Sequence, residues 1–325
     1  MRVNAQSIEH TIELESAPCP LGCSGGDALV LRGHDRLNHL PGVFNVVRCK
    51  DCGLMRTNPR PTPESMRVYY PDQYGPYRGT RIDPDRKNGG RSAVLRRWAT
   101  SLFQFNTTRL PRLQPGRVLE IGCASGAFLN KLSRGGWKAE GVEFSETAAQ
   151  SARSLGFSVY SGSVESAPDP QHLFRLAVGW MVLEHLHDPV MALQKIHRWV
   201  EPQGWLALSV PNAGAIEFNI FRHRWYALHL PNHLYHFTTD SLSRILEAGG
   251  WRAIRVFHQR TLTNMMGSLG YWLQDHGTFP GLSDVLVALP EGRGHMNYIL
   301  YPLACLFSFL GQTGRMTVWA RKIDD

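Results

Sequence analysis

The chain has 325 residues, of which 43% are hydrophobic and 19% charged. This composition excludes a disordered chain and a polytopic membrane protein, and the length allows one large domain with a smaller unit. The balance of 35 Lys and Arg against 27 Asp and Glu gives a net charge of +8. Residues 1–16 lack the apolar stretch of a signal peptide, and 6 cysteines are too few for a disulfide scaffold. We therefore expect a cytoplasmic protein.

Four of the cysteines form two pairs near the start of the chain, and short β-type runs lie between the pairs at residues 28–32 and 43–48. The paired residues are Cys19 with Cys23 and Cys49 with Cys52. Four thiolates on two turns are typical of a ribbon that binds one Zn²⁺, and a full set of four leaves no position for water or substrate. We predict a structural zinc ribbon over residues 1–60, with positive-φ turns at Gly22, Gly25, Gly26 and Gly53. A redox pair or four unrelated thiols are the alternatives.

The positive charge is concentrated between residues 78 and 117, where ten Lys and Arg stand against two Asp, and the resulting +8 equals the charge of the whole chain. We interpret residues 61–110 as a solvated linker that leads into a helix over 92–105. Alternatively, this segment binds an anionic substrate, a phosphate-bearing polymer or an acidic membrane surface, and charge alone does not choose among these.

A strand, a glycine-rich turn and a helix follow. Val118–Ile121 is a short apolar run, Gly122–Gly126 is the turn, and an apolar helical pattern continues to Gly135. A second strand over 139–142 ends at Glu143, where a carboxylate can accept both hydroxyls of a ribose. This pattern predicts a Rossmann-like unit that binds a nucleoside.

The residues in and before the turn indicate which nucleoside the unit binds. Ala124 stands where a dinucleotide motif needs its second glycine, and Glu120 would repel a pyrophosphate. The same carboxylate suits the amino group and the positive sulfur of S-adenosylmethionine. NAD or FAD, and a core strand without a ligand, remain as alternatives.

Together with the sequence VLEHLHDP at 182–189, these motifs resemble the class I S-adenosylmethionine-dependent methyltransferases, and within them the branch of the ubiquinone-biosynthesis O-methyltransferases. The cysteine pairs, with Pro59-Arg60-Pro61 and Tyr69-Tyr70 after them, resemble the members that carry a zinc ribbon, some of which are sugar C-methyltransferases. The resemblance implies an α/β fold: a Rossmann-like seven-stranded sheet with its last strand antiparallel, in a domain at 111–325. Beyond about Arg260 the resemblance is limited to the last strand, and we expect a helical insertion at 261–314.

The resemblance also implies a set of cofactor-binding residues. Those expected around the methionine and ribose portions are Glu120, Gly122, Ser125, Gly126 and Glu143. Phe144 would lie beside the adenine, Ser163 to Glu165 along its edge, and Trp180 near the methyl group.

The remaining elements alternate as this fold requires. We predict helices from Pro189 to Trp199 and from Thr239 or Asp240 to Gly249, and strands at 204–210, 251–257 and 315–320.

Methyl transfer from a sulfonium needs a base only when the acceptor is a hydroxyl or a carbon acid. The candidate catalytic residues are His185, His233, Tyr235 and His236. The alternative is that His185 holds its loop by hydrogen bonds and that the other three belong to a packed cap. Arg222 and Arg224 are candidates for a phosphate or carboxylate of the acceptor.

The insertion at 261–314 is expected to cover the acceptor pocket or to form a homodimer contact. Leu300, Leu303, Leu306, Phe307 and Leu310 at helical spacing also allow a peripheral membrane contact.

The predicted function is methyl transfer to a small anionic metabolite, such as a nucleotide sugar or a glycan or lipid precursor. RNA methylation is one alternative, but the basic segment lacks interleaved aromatic residues, so we expect no nucleic-acid partner. The other alternative is a non-catalytic binding protein with the same fold.

Overall fold

The computed structural model describes residues 12–70, 103–292 and 296–323. Most of the basic segment and of the linker therefore lies outside the described residues. The same holds for residues 92–102 of the helix predicted over 92–105. Residues 103–105, the described end of that helix, are not helical.

The N-terminal unit is a small β-structure. Its strands are β1 (Leu14–Glu15), β2 (Asp27–Gly33), β3 (Phe44–Cys49), β4 (Met55–Thr57) and β5 (Arg60–Pro61), and the short helix α1 (Pro63–Met66) follows. Strands β2, β3 and β4 form an antiparallel meander. Phe44, Val46 and Leu54 are buried in it, at 2%, 0% and 0% exposure. The two predicted β-runs are thus confirmed as adjacent strands.

The rest of the chain supplies the main sheet. Its strands are β6 (Arg117–Ile121), β7 (Lys138–Glu143), β8 (Ser158–Ser161), β9 (Phe174–Trp180), β10 (Val200–Pro211), β11 (Tyr235–His236), β12 (Trp251–His258) and β13 (Arg315–Lys322). All except β11 form one seven-stranded sheet in the order β12-β13-β10-β9-β6-β7-β8. Strand β13 is antiparallel to both neighbours, and the other described pairs are parallel. This arrangement confirms the predicted fold class.

Helices cover both faces of this sheet and fill the insertion. They are α2 (Ala127–Arg134), α3 (Glu146–Ser154), α4 (Pro189–Trp199), α5 (Ile216–Phe221), α6 (Thr239–Ala248), α7 (Thr263–Asp275), α8 (Pro280–Ala288), α9 (Met296–Ile299) and α10 (Tyr301–Phe309). Asp188 caps α4, since its Oδ1 accepts a hydrogen bond from the N–H of Met191 at 2.8 Å, and proline occupies the first helical position. The start predicted for this helix is therefore correct. No described helix is both long and apolar enough to cross a membrane.

The ribbon does not stand apart from the larger domain. Strand β11 comes from the loop after β10, yet it pairs with β4 and completes a sheet of order β11-β4-β3-β2. The hydroxyl of Thr57 also donates to the backbone oxygen of His233 at 2.8 Å. The ribbon is therefore fixed at the edge of the main sheet where the parallel strands end, which is the edge at which sheets of this kind bind ligands.

Candidate active site

A large cavity of about 1520 Å³ lies at this edge. Three parts of the chain line it: the ribbon with α1, the carboxyl ends of the parallel strands, and the helical insertion. Arg36 and Tyr70 come from the first part, Glu143 and Trp180 from the second, and Tyr271 from the third.

At one end, the glycine-rich turn closes around the Glu143 carboxylate. The backbone N–H of Ala124 donates to Oε2 and that of Ser145 to Oε1, each at 2.8 Å. Ala124 has a φ of 46°, a left-handed conformation that is uncommon for alanine, and its hydrogen bond to Glu143 helps to hold it there. Each carboxylate oxygen has two lone pairs, so each keeps one for a ligand hydroxyl.

Two buried carboxyl groups stand at these neighbouring strand ends. Burial raises the pKa of Glu143, against the lowering effect of the backbone N–H donors. Burial and the nearby Glu143 raise the pKa of Glu120 well above its usual range. Oε2 of Glu120 has no hydrogen-bond partner among the described residues. A cationic ligand in the cavity would favour the ionised form of both groups, by contact with Glu143 and through space with Glu120, which fits the predicted sulfonium nucleoside.

Most of the predicted cofactor residues line the cavity. Those that do are Gly122, Ser125, Glu143, Phe144, Ser163, Glu165 and Trp180. Glu120 and Gly126 are not on the wall. Gly126 instead has a φ of 82° and precedes α2, so it shapes the turn.

Three histidines meet in the middle of the cavity wall. The ring of His233 lies 4.7 Å from that of His185 and 4.8 Å from that of His229, measured between centroids. Nδ1 of His185 lies 2.9 Å from the carbonyl oxygen of Asn232 and 2.8 Å from the Tyr70 hydroxyl. Because a carbonyl oxygen can only accept, we assign the His185 proton to Nδ1, which leaves Nε2 unprotonated.

The same argument applies to His233, whose Nδ1 lies 2.8 Å from the carbonyl oxygen of Ala227. Burial lowers the pKa of His185 to about 4 and that of His233 well below its usual range. Both imidazoles are therefore neutral at pH 7, and each has one nitrogen that can accept a proton.

Glu184 is fully buried beside these histidines, and burial raises its pKa to about 8. Neither of its carboxyl oxygens has a hydrogen-bond partner among the described residues. Ligand atoms of Glu184, His185 and His233 lie within 4.8 Å of one another, so this group could hold a metal ion.

Two predicted catalytic residues do not reach the cavity wall. Tyr235 and His236 form β11, and both are buried, at 2% and 1% exposure. The Tyr235 hydroxyl donates to the backbone oxygen of His187 at 3.1 Å, and Nε2 of His236 lies 3.3 Å from the Thr57 hydroxyl. Their observed contacts hold the ribbon to the domain, as in the packed-cap alternative.

The predicted anion-binding arginines are also engaged elsewhere. Arg222 donates to the backbone oxygen of Val30 at 2.8 Å, and Arg224 forms an ion pair with Asp275. Arg36 of the ribbon shares that aspartate, at 2.8 Å. These three side chains join the ribbon, the loop after β10 and the insertion.

Sequence reasoning missed several residues of the cavity wall: His229, Tyr226, Tyr271 and Arg315. The rings of Tyr226 and Tyr271 stack with centroids 5.7 Å apart and an interplanar angle of 15°. The aromatic loop around residues 221–237 was a signal for Tyr226, but no local pattern pairs it with a residue of the insertion.

The four ribbon cysteines come together as predicted. Their Sγ atoms lie within 4.8 Å of one another, and all four thiols are free. Gly22, Gly26 and Gly53 have φ values of 73°, 76° and 75°, as predicted. The prediction is wrong for Gly25, where glycine instead leaves room for the Asp51 carboxylate that accepts from its N–H at 2.7 Å.

Comparison with known proteins places the fold and the site in a family. Residues 94–271, more than half of the chain, match the family described as Methyltransferase domain. The Ubiquinone biosynthesis O-methyltransferase of Bradyrhizobium diazoefficiens is 30% identical over 138 residues, which cover 41% of this chain and 52% of that protein. The protein of the same name from Thiobacillus denitrificans is 29% identical over 116 residues, covering 33% of this chain and 49% of that protein.

Among solved structures, an S-adenosylmethionine-dependent methyltransferase from Mesorhizobium loti overlaps 66% of this chain and 94% of its own, with a TM-score of 0.45 and 16% identity. The chain spans about half the length of the curated relatives that it matches. It belongs to the methyltransferase domain family.

Proposed function

We propose that the protein transfers the methyl group of S-adenosylmethionine to a hydroxyl or an acidic carbon of a small anionic metabolite. Nucleotide sugars and glycan or lipid precursors are the leading acceptor classes. The observation that carries the proposal is His185: a neutral imidazole on the cavity wall, with its proton directed to Asn232 O and its Nε2 able to accept another.

The bound cofactor supplies an activated methyl group, and the protein orients the reactants and excludes water. Glu143 would hold the ribose hydroxyls, and Trp180 would lie near the methyl group. His185 would take the acceptor proton, and the Tyr70 hydroxyl 2.8 Å from its Nδ1 would help to fix the ring. Because both neighbours contact Nδ1, the proton would be received at Nε2.

The cavity has room for an acceptor beside the cofactor. Its wall continues from the predicted cofactor residues to Tyr226 and to Tyr271 of the insertion, which supports an acceptor of several functional groups. The names of the curated relatives favour a hydroxyl acceptor on a quinone precursor as a second class.

The test is a methyl-transfer assay with an isotopically labelled methyl group and a panel of nucleotide sugars, phosphorylated glycans and phenolic quinone precursors. We expect labelled product from one class only, identified by mass spectrometry. The position of the labelled methyl group in the product, determined by NMR, would distinguish methylation at carbon from methylation at a hydroxyl oxygen. No product from any class, with the cofactor bound, would contradict the proposal.

We further propose that the four ribbon cysteines bind a structural Zn²⁺. The support is chemical: four free thiols lie close enough to share one tetrahedral ion.

We also propose a peripheral membrane contact through α10. Its Leu306, Phe309 and the adjoining Leu310 are 53%, 88% and 58% exposed. Arg260 donates to the Tyr301 hydroxyl of this helix at 3.1 Å, and Arg112, Arg255 and Arg260 are close enough to lower the pKa of Arg109, after burial. An apolar surface beside clustered arginines is the pattern of an interfacial helix on anionic lipid.

Two alternatives remain testable. A salt-sensitive shift of RNA on a native gel would favour RNA methylation. Binding of S-adenosylhomocysteine without methyl transfer to any acceptor class would favour a non-catalytic binding protein.

A further inference from the structure

Arg315 is the first residue of β13, the antiparallel strand of the sheet. It pairs with Pro211, the last residue of β10, so an antiparallel strand brings its first side chain to the edge where the parallel strands end. Its backbone oxygen accepts from the N–H of Gln259 at 2.9 Å. The main chain at Arg315 is therefore held between Pro211 and Gln259, so the side chain extends from a fixed backbone position.

The side chain lines the cavity together with Tyr226 and His229. Its guanidinium makes no hydrogen bond or ion pair with any described residue, and its buried Nε has no partner. Burial lowers the pKa of this guanidinium, whose remaining accessible surface faces the cavity. A buried cation without a partner is costly, so a function for this one is expected.

The nearest acidic groups do not neutralise it. Glu217 and Glu184 influence Arg315 electrostatically, but neither lies within ion-pair distance of it in the described structure. Oε1 of Glu217 accepts from Nε1 of Trp225 at 2.7 Å. Burial raises the pKa of Glu217 to about 7, which weakens its negative charge near neutral pH.

The other arginines near the cavity are in a different position. Arg36 and Arg224 share the Asp275 carboxylate, and Arg222 is bound to the ribbon backbone. Of the arginines that line the cavity, Arg315 and the exposed Arg67 therefore have no ion-pair partner among the described residues, and of these two it is Arg315 whose Nε is buried.

We propose that Arg315 binds an oxyanion of the methyl acceptor, a carboxylate or a phosphate, and so selects anionic acceptors and orients them beside the histidine cluster. This inference rests on the proposed function and identifies Arg315 as the residue that recognises the negative charge of the acceptor. The planar guanidinium can donate two parallel hydrogen bonds to either oxyanion, which a lysine cannot.

The experiment is a calorimetric titration of the protein, with and without S-adenosylhomocysteine, using inorganic phosphate, pyrophosphate, acetate and benzoate in low-chloride buffer. Wild type is expected to bind one of these anions per chain, and Arg315→Met to weaken that binding at least about 10-fold. Arg315→Lys should recover only part of it. A preference for phosphate and pyrophosphate would identify a phosphorylated acceptor, and a preference for acetate and benzoate a carboxylate.

The matched control is Arg321→Met, on the same strand, where the guanidinium stacks over Trp205 at 5.3 Å and donates to Gln203 at 3.0 Å. It should bind anions as wild type does. If Arg315→Met does not fold, phenylglyoxal modification of the wild type gives the second test, because the bound anion should protect Arg315 from labelling in the mass spectrum.

Equal anion affinity of wild type and a folded Arg315→Met, or labelling of Arg315 that the anions do not slow, would overturn the inference. If wild type does not bind S-adenosylhomocysteine, the proposed function is overturned instead. The anion titration without that ligand tests Arg315 independently, so failure of the inference and failure of the proposed function are distinguishable.

Discussion

Glu143 holds the turn and faces the ligand cavity at the same time. Its carboxylate accepts hydrogen bonds from the backbone N–H groups of Ala124 and Ser145. These hydrogen bonds were not predictable from the sequence, whereas Glu143 itself was predicted as a cofactor-binding residue. The carboxylate was recognisable because it ends the second strand of a Rossmann-like unit. His229 and Arg315 had no such signal, since their position on the cavity wall depends on elements distant in sequence.

The raised pKa values of Glu143 and Glu120 predict a pH dependence of cofactor binding. A cationic ligand favours the ionised carboxylates, so S-adenosylmethionine should release protons when it binds and should bind more tightly as the pH rises through the raised pKa values. S-adenosylhomocysteine, which lacks the sulfonium charge, should show a weaker dependence. Calorimetry over a series of pH values, in buffers of different ionisation enthalpy, measures this, and identical profiles for the two ligands would show the prediction to be wrong.

His185→Gln should lower the rate of methyl transfer by about 10²- to 10⁴-fold, because the group that accepts the acceptor proton is lost. Affinity for S-adenosylhomocysteine should stay within about 2-fold of wild type, since Glu143 still holds the cofactor. The exposed His172 provides the control variant, His172→Gln. A fall in cofactor affinity that accounts for the whole loss of rate would assign His185 a structural role.

At the scale of elements, local patterns predicted the regular structure well and the pairing between distant segments poorly. Helix α4 was predictable from the Asp188 cap and the following proline, and β13 from its apolar run. Strand β11 was not, because two residues in an aromatic loop become a strand only when β4, about 180 positions earlier, lies beside them. The local sequence around Tyr235 and His236 predicts catalytic side chains because it contains no sign of their pairing with β4.

The ribbon should lose stability without its metal. Wild type is expected to contain one Zn²⁺ per chain by elemental analysis, and Cys23→Ser should lose the metal and lower Tm by at least about 5 °C. Since β11 and Tyr70 tie the ribbon to the cavity, methyl transfer should fall as well. Cys305→Ser, outside the cluster, should retain the zinc. Metal-free wild type with unchanged Tm and activity would contradict the zinc proposal.

Helix α10 has its own test. The double variant Leu306→Ser and Phe309→Ser should abolish flotation with vesicles that contain anionic phosphatidylglycerol, because it removes the two most exposed apolar side chains within α10 itself. Leu173→Ser, at an equally apolar position that is 46% exposed but outside the insertion, should leave flotation unchanged. Equal flotation of wild type and the double variant, or none by wild type, would end the membrane proposal.

For the whole molecule, the sequence predicted the sheet and the end of the cavity that Glu143 lines, whereas the end lined by Tyr226 and Tyr271 depends on packing between distant segments. Arg36 of the ribbon, Arg224 of the loop after β10 and Asp275 of α7 meet in one ion-pair group, although more than 200 positions separate the first from the last. Tyr271 reaches the stack on Tyr226 in the same way. The end of the cavity at Glu143 follows a local strand–turn–helix pattern, whereas the end proposed for the acceptor combines three segments, and long-range packing has no local sequence signal.

The most direct test of the central claim, that buried carboxylates at adjacent strand ends bind the cofactor nucleoside, is a calorimetric titration of S-adenosylhomocysteine into wild type, Glu143→Ala and Glu140→Ala. Glu140 is on the same strand but pairs with Arg117 at 2.9 Å and does not line the cavity, so it serves as the control. Wild type and Glu140→Ala should bind one molecule per chain with equal affinity, and Glu143→Ala should lose about 2 kcal/mol of binding free energy or more. Unchanged binding by Glu143→Ala, or no binding by wild type, would contradict the account.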